Sequence, residues 1–256
     1  MIASHRWVNI DTGEHDGDFN MRYDLQLVEK FQNERVPGFD STPVLRFYRW
    51  RPYCISLGKN QSGSDIDVDM AKRDGIDVVK RPTGGKAVLH AEEFTYSVVM
   101  QTAGLSVQDT YNSISGALVE GLRTLGADLE LAKSSADFQK LFHDPTAIPC
   151  FSTSAVYEVE YHGKKLVGSA QHRFGDVLLQ HGSILIGNYH KRIVNYLALD
   201  ENMKARTRND LDGHTVTLNE ILRRSLEVES VGEAVKIGFE KVFGAEFQAL
   251  TALAVE

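Results

Sequence analysis

The run Lys80-Arg-Pro-Thr-Gly-Gly-Lys-Ala-Val-Leu-His90 constrains this chain more than any other stretch. Residues 76–79 are apolar and β-branched and read as a strand entering it, and 87–90 read as a strand leaving it. Between them Pro82 fixes φ, and Gly84 and Gly85 remove two Cβ atoms, so the chain can turn sharply. A strand, a glycine turn carrying cations and a returning strand bring backbone N–H groups close to an anion or a carbonyl oxygen. Arg81 and Lys86 would strengthen such a site, and His90 would line it. A surface turn with solvated charges fits the same residues. Two better-known phosphate loops are excluded. A Walker A loop needs glycine where Lys80 stands and Ser or Thr where Ala87 stands. A dinucleotide fingerprint needs three spaced glycines opening a helix, whereas this turn opens into a strand pattern.

With 256 residues, 42% hydrophobic and 25% charged, the chain can build one large domain or a domain with a small appendage. A net charge of −7 argues against nonspecific nucleic-acid binding, which needs basic surface. No apolar run approaches the ~20 residues of a membrane span, and the first residues lack an apolar signal core. No membrane association and a cytoplasmic location are therefore expected. Cys54 and Cys150 are too few for a disulfide scaffold. Cys54 lies in an apolar strand pattern and reads as buried packing. Cys150 ends a long, polar, weakly patterned stretch, 133–149, and is open between a structural and a working thiol. Asp65, Asp67 and Asp69 imitate a calcium loop, but Met70 and Ile76 stand where glycine and glutamate are required, so no metal site is expected.

Helices are predicted over 18–35, with Met21, Leu25, Val28 and Phe31 on one stripe, over 68–73, and over 107–125 up to Gly126. Strands are predicted over 7–10, 44–50, 53–58, 94–101, 127–131 and 156–161. Strand 46–51 mixes aromatics with cations and reads as one apolar and one solvated face. Segments 165–173 and 177–186 form a hairpin through Phe174-Gly175-Asp176. Small residues at Gly168, Ser169, Ala170, Gly182 and Ser183 leave room above that hairpin for a ligand; two strands with solvated faces are the plainer alternative. A short helix covers 189–197, and 200–216 reads as a polar connection. Capping boxes at Thr217-Leu-Asn-Glu220 and Ser230-Val-Gly-Glu233 open two last helices.

Three stretches in order carry a resemblance. Arg81-Pro-Thr-Gly-Gly-Lys-Ala-Val-Leu-His90 with Glu93-Phe-Thr-Tyr-Ser97 is similar to the glycine-turn motif of the lipoate–protein ligase and octanoyltransferase superfamily. Gly163-Lys-Lys-Leu-Val-Gly-Ser-Ala-Gln171 resembles its lysine motif, and Leu45 to Trp50 with Ser56-Leu-Gly58 and Gln61 its early strands. Lys86 in place of a third glycine, Cys150-Phe151 ahead of Tyr157-Glu-Val159, and Gln180-His-Gly-Ser-Ile184 resemble the LipM-type octanoyltransferases within it.

The resemblance implies an α+β fold, a mixed β-sheet flanked by helices, as in biotin protein ligase catalytic domains and class II aminoacyl-tRNA synthetases. Residues 1–200 would be the catalytic domain, and 201–256 a helical extension packed on it. It implies transfer of octanoate from acyl carrier protein to a lysine of lipoyl-domain proteins, such as glycine cleavage H protein or E2 subunits, by a monomer. Cys150 would be the nucleophile and Lys165 its partner, Lys164 being the solvated neighbour. Arg81, Gly84, Gly85, Lys86, His90, Gly168, Ser169, Ala170, Gln171, His181 and Gly182 would bind substrate. No cofactor is needed if the donor is a thioester. ATP with magnesium enters only for the alternative, an ATP-dependent lipoate ligase. An amidotransferase between lipoyl proteins and a noncatalytic acyl- or protein-binding module are the further alternatives.

Overall fold

Strand β6, Glu93–Gln101, is buried from Glu93 to Met100, which requires cover on both faces. The computed structural model describes residues 5–33, 42–131 and 158–248. In chain order its elements are β1 Arg6–His15, α1 Gly17–Gln32, β2 Val44–Trp50, β3 Cys54–Leu57, α2 Val68–Arg73, β4 Asp77–Lys80, β5 Val88–His90, β6, α3 Val107–Leu122, β7 Glu130–Leu131, β8 Val159–Tyr161, β9 Lys164–Phe174 and β10 Val177–Leu185. There follow a 3₁₀ helix Tyr189–Tyr196, α4 Glu201–His214, α5 Leu218–Leu222, α6 Val228–Phe243 and β11 Glu246–Gln248. The main sheet has eight strands in the order β11-β1-β2-β6-β10-β9-β8-β7, and β4-β3-β5 form a second, three-stranded sheet. β1 pairs in parallel with both its neighbours, and the central strands pair antiparallel. This is the mixed, helix-flanked sheet that the resemblance implied.

Alternation along the strands assigns the two faces. Phe47 and Phe94 point to the side of α6, where Gly232 packs against both rings. Arg46, Tyr48 and Ser97 point to the side of α1. α3 and α6 lie against each other almost backbone to backbone. A methyl group on Gly121 would fall inside contact distance of the Ala234 carbonyl, and one on Gly238 inside that of Ala117. β11 adds its three residues to the free side of β1.

Several expectations are corrected. β4 and β5 are not partners across the glycine turn: β3 lies between them, parallel to β4 and antiparallel to β5. The connecting residues instead carry the chain across β3, held by Arg81, which donates to the carbonyls of Gly84 and Lys86. Residues 200–216 are mostly helix. α4 starts from Asp200, whose side chain accepts the Met203 N–H, and buries only Thr207 and Leu211, too narrow a stripe to show as periodicity. α6 begins at Val228 without a side-chain cap, which leaves Ser230 inside the helix. The strand expected over 127–131 is only two residues long. β2 has no solvated face: Arg46 is fully buried. On α1 the inward stripe includes Leu27, while Leu25 is half-buried. The segment 133–149, Cys150 and Phe151 lie outside the described residues.

Replacing Gly121 by alanine forces α3 and α6 apart. Overpacking of this kind costs about 1–3 kcal/mol, so Gly121→Ala is expected to lower the urea midpoint with an unchanged m-value.

Candidate active site

A narrow cleft lies between the α1 face of the main sheet and the small sheet. The register explains its floor. Arg46 pairs with Ser97, Ser97 with His181 and His181 with Ala170. One step along, Tyr48 pairs with Thr95, Thr95 with Ser183 and Ser183 with Gly168. Directly opposed residues share a face, so four adjacent strands present bulk at the β2 end and almost no side chain at the β9 end. Met21 of α1 and Ser56 and Val88 of the small sheet border the same space.

Two buried polar networks hold this floor. In the first, Asp24 of α1 meets Arg46 at 2.8 Å, both wholly buried. The guanidinium also donates to Thr12 and Asn20 and lies over the rings of Tyr23 and Tyr48, 4.4 and 4.0 Å from their centroids. Asp24 accepts from Ser97 Oγ at 2.8 Å and Tyr48 at 3.3 Å, and contacts His181 Nδ1 at 3.2 Å. Burial raises the Asp24 pKa, but Arg46 and His181 outweigh it and the net shift is downward. Burial pushes the His181 pKa down. Asp24 is then a carboxylate and can only accept, so the neutral ring of His181 donates from Nδ1. Its Nε2 accepts from Thr83 Oγ1 at 2.6 Å, which ties the glycine turn to the sheet.

Glu93 is the hub of the second network. It lies 3.0 Å from His90 Nδ1 and accepts from Thr95. His90 Nε2 meets Ser56 Oγ at 2.7 Å, and Ser183 Oγ lies 3.1 Å from Nδ1. Burial raises the Glu93 pKa, and its bonds to His90, Ser183 and Thr95 lower it by more.

Of the residues singled out from the sequence, Arg81, His90, Gly168, Ser169, Ala170, His181 and Gly182 line the cleft together. Arg81 also shapes the turn, donating to Ser56 O and Oγ and to the carbonyls of Gly84 and Lys86. Gly84, Gly85 and Lys86 stand in the turn itself and do not line this cleft. Gly85 has φ of +91°, and its carbonyl packs so closely on Gly58 that a side chain at either position would be strained. Gln171 lies on the other face of β9 and donates to Thr110 of α3 at 2.9 Å. Lys165 is buried, with its amine on the carboxylate of Glu158. It belongs to the strand that carries Gly168 but is not among the residues bordering the described cleft. Lys164 is exposed. Cys150 lies outside the described residues. Cys54 is buried and its thiol pKa is pushed well up by burial, so it is no nucleophile at neutral pH.

Asp24, Arg46, Tyr48, Trp50, Thr95 and Glu93 escaped the sequence reading. Their trace is polar residues at inward positions: Asn20 and Asp24 four apart on the helix stripe, and Glu93, Thr95 and Ser97 alternating along one strand. Among the described residues no cluster of His, Cys, Asp or Glu is arranged to hold a metal, and no helix is long and apolar enough to cross a membrane.

The model of the lipoyl protein ligase A/B catalytic domain matches residues 16–240. The chain belongs to this family. Among family relatives, octanoyltransferase LipM of Kyrpidia tusciae is 36% identical over 94% of this chain and 89% of its own length. LipM of Geobacillus kaustophilus is 34% identical over 100% and 92%, and that of Bacillus subtilis 32% over 93% and 87%. The fold is shared with the bipartite lipoate protein ligase of Thermoplasma acidophilum, with TM-score 0.76, 21% identity, and 98% of this chain and 89% of that one covered. A lipoate-protein ligase A bound with ATP aligns with TM-score 0.73 and 21% identity, over 97% and 90%.

His181 and His190 are buried and hold few protons in the folded state, with the His190 pKa pushed down by burial to about 4 from 6.5. The unfolded chain binds the extra protons, so stability is full above pH 6.5 and falls as pH drops toward the folded-state values. Asp24 and Glu93 extend the loss below their ordinary carboxylate range. His190 alone should account for about 3 kcal/mol between pH 6.5 and 4. Urea midpoints measured across this range should fall with acid, and His190→Gln should flatten the slope.

Proposed function

We propose that this family member is an octanoyltransferase of lipoate biosynthesis. It moves an octanoyl group from acyl carrier protein to a lysine of lipoyl-domain proteins, the glycine cleavage H protein or E2 subunits. The observation that carries this reading is the likeness to LipM octanoyltransferases along nine-tenths of this chain and nearly as much of each relative. The cleft supports it: a narrow space between two sheets, bordered by Met21, Val88, Gly168 and Ala170, suits a medium-length hydrocarbon chain.

In the first step the Cys150 thiolate attacks the donor thioester carbonyl. The carbon–sulfur bond to phosphopantetheine breaks, and that sulfur leaves as a thiol with the proton Cys150 gave up. In the second step the acceptor lysine amine attacks the octanoyl-cysteine. An amide forms, one proton of the amine is released, and the Cys150 thiol is restored. The donor thioester supplies the activation, so ATP has no role. Lys165, paired with the Glu158 carboxylate, would favour the thiolate electrostatically when brought beside it. Its release from Glu158 as a neutral amine would let it take the acceptor's proton. Beyond Val167, β9 pairs only with β10 among the described residues. Alternate N–H groups along its other edge, near Ser169 and Ala170, are available to a developing oxyanion, as are those of the Gly84–Gly85 turn. Each such donor is worth about 3 kcal/mol.

Incubation with octanoyl acyl carrier protein without ATP, followed by intact mass and peptide mapping, should show one octanoyl unit on Cys150. Cys150→Ala should show none. Lys165→Ala opens a buried ion pair, so it should lower stability and, in protein still folded by circular dichroism, lose transfer by about a thousandfold. Adduct formation only with ATP, together with exchange of pyrophosphate into ATP, would establish a ligase instead.

A further inference from the structure

A hydroxyl that the transfer reaction does not use stands in the same cleft. Ser56 of β3 borders it, beside His90 of β5. Ser56 Oγ lies 2.7 Å from His90 Nε2, and His90 Nδ1 lies 3.0 Å from Oε1 of Glu93, the first residue of β6. The protons of this chain can be placed. The Arg81 guanidinium can only donate, and it reaches Ser56 Oγ at 3.1 Å. Ser56 therefore turns its own proton toward His90 Nε2. Glu93 keeps a low pKa despite its burial because His90, Ser183 and Thr95 bond to it. As a carboxylate it only accepts, so the neutral ring of His90 carries its proton on Nδ1 and keeps a lone pair on Nε2. Trp50 stacks on that ring, with centroids 4.1 Å apart and planes 16° from parallel, and fixes its plane. A hydroxyl, a base within hydrogen-bond reach and a carboxylate that orients the base are the arrangement that activates a serine. Arg81 adds a positive charge beside Oγ, where negative charge would develop.

We propose that Ser56, His90 and Glu93 form a second catalytic site, which hydrolyses acyl esters and thioesters drawn into the cleft. Ser56 Oγ attacks the carbonyl carbon as its proton passes to His90 Nε2. The tetrahedral intermediate collapses, the bond to the alcohol or thiol breaks, and that group leaves with the proton from His90. Water then attacks the seryl ester and gives a proton to His90. The carboxylic acid departs, and His90 returns the proton to Ser56. One ester and one water become one acid and one alcohol or thiol, and no other reactant is needed. The choice of a medium-length acyl group rests on the acyl-transfer reading of the cleft. The serine site itself does not, because its nucleophile is a different residue.

The test is made on Cys150→Ala protein, so that the thiol implied in transfer contributes nothing, with circular dichroism checking the fold. Incubated with an alkyl fluorophosphonate, this protein should gain one phosphonyl group that maps to Ser56. It should also hydrolyse 4-nitrophenyl octanoate, and adding Ser56→Ala should lower that rate by about a thousandfold or more. Glu93→Gln keeps the nucleophile but loosens the base, and should lower the rate by about a hundredfold or more. Folded Cys150→Ala protein that takes no label on Ser56 overturns the proposal, whether or not the Ser56 variant folds. So does a hydrolysis rate that Ser56→Ala leaves unchanged. Labelling and hydrolysis at Ser56, with no octanoyl unit on Cys150 of the wild type, would leave the serine site standing and remove the transferase reading.

Discussion

The ion pair between Asp24 and Arg46 is the contact on which the geometry of the site depends. Both charges are out of water, and either one alone would cost several kcal/mol to bury. They are tolerated because each is saturated. Arg46 has Thr12, Asn20 and two aromatic faces, and Asp24 has Ser97, Tyr48 and His181. The pair fixes α1 on the centre of the sheet at one rotation. Through His181 and Thr83 the same carboxylate sets the distance between the sheet and the glycine turn. A hydrophobic contact would hold the helix down but would not fix its rotation, because apolar burial has no direction.

Glu93 performs the same service at the other end of the cleft. Its strand is central and buried, so the carboxylate cannot relax into solvent and instead orients Thr95 and His90. The floor is therefore stiff at the β2 end and nearly bare of side chains at the β9 end. The cleft therefore has one fixed end and one open end.

What the sequence disclosed and what it hid divide along one line. Local chemistry was legible. The hairpin through Gly175 has the expected strands, with Gln180 opposite Gln171. Asp67 caps α2, and Thr217 with Glu220 forms a capping box. The motifs that carried the family resemblance supply Arg81, His90 and Gly168 to one cleft. Tertiary decisions were not legible. A cation in a strand, such as Arg46, reads as solvated until the helix bearing its partner is placed over it. The insertion of β3 between β4 and β5 reverses no local preference and leaves no local mark. Helix α4 buries two residues, so hydrophobic periodicity had almost nothing to register. Cys150, the nucleophile that the resemblance implies, lies outside the described residues.

The outermost strands of the main sheet have a consequence of their own. Among the described residues one border is β11, three residues long, and the other is β7, two residues long. Long unpaired borders recruit foreign strands and seed aggregation. These two offer almost no template, so among the described residues the backbone left open to an incoming strand is that of β1 beyond Val8 and of β9 beyond Val167.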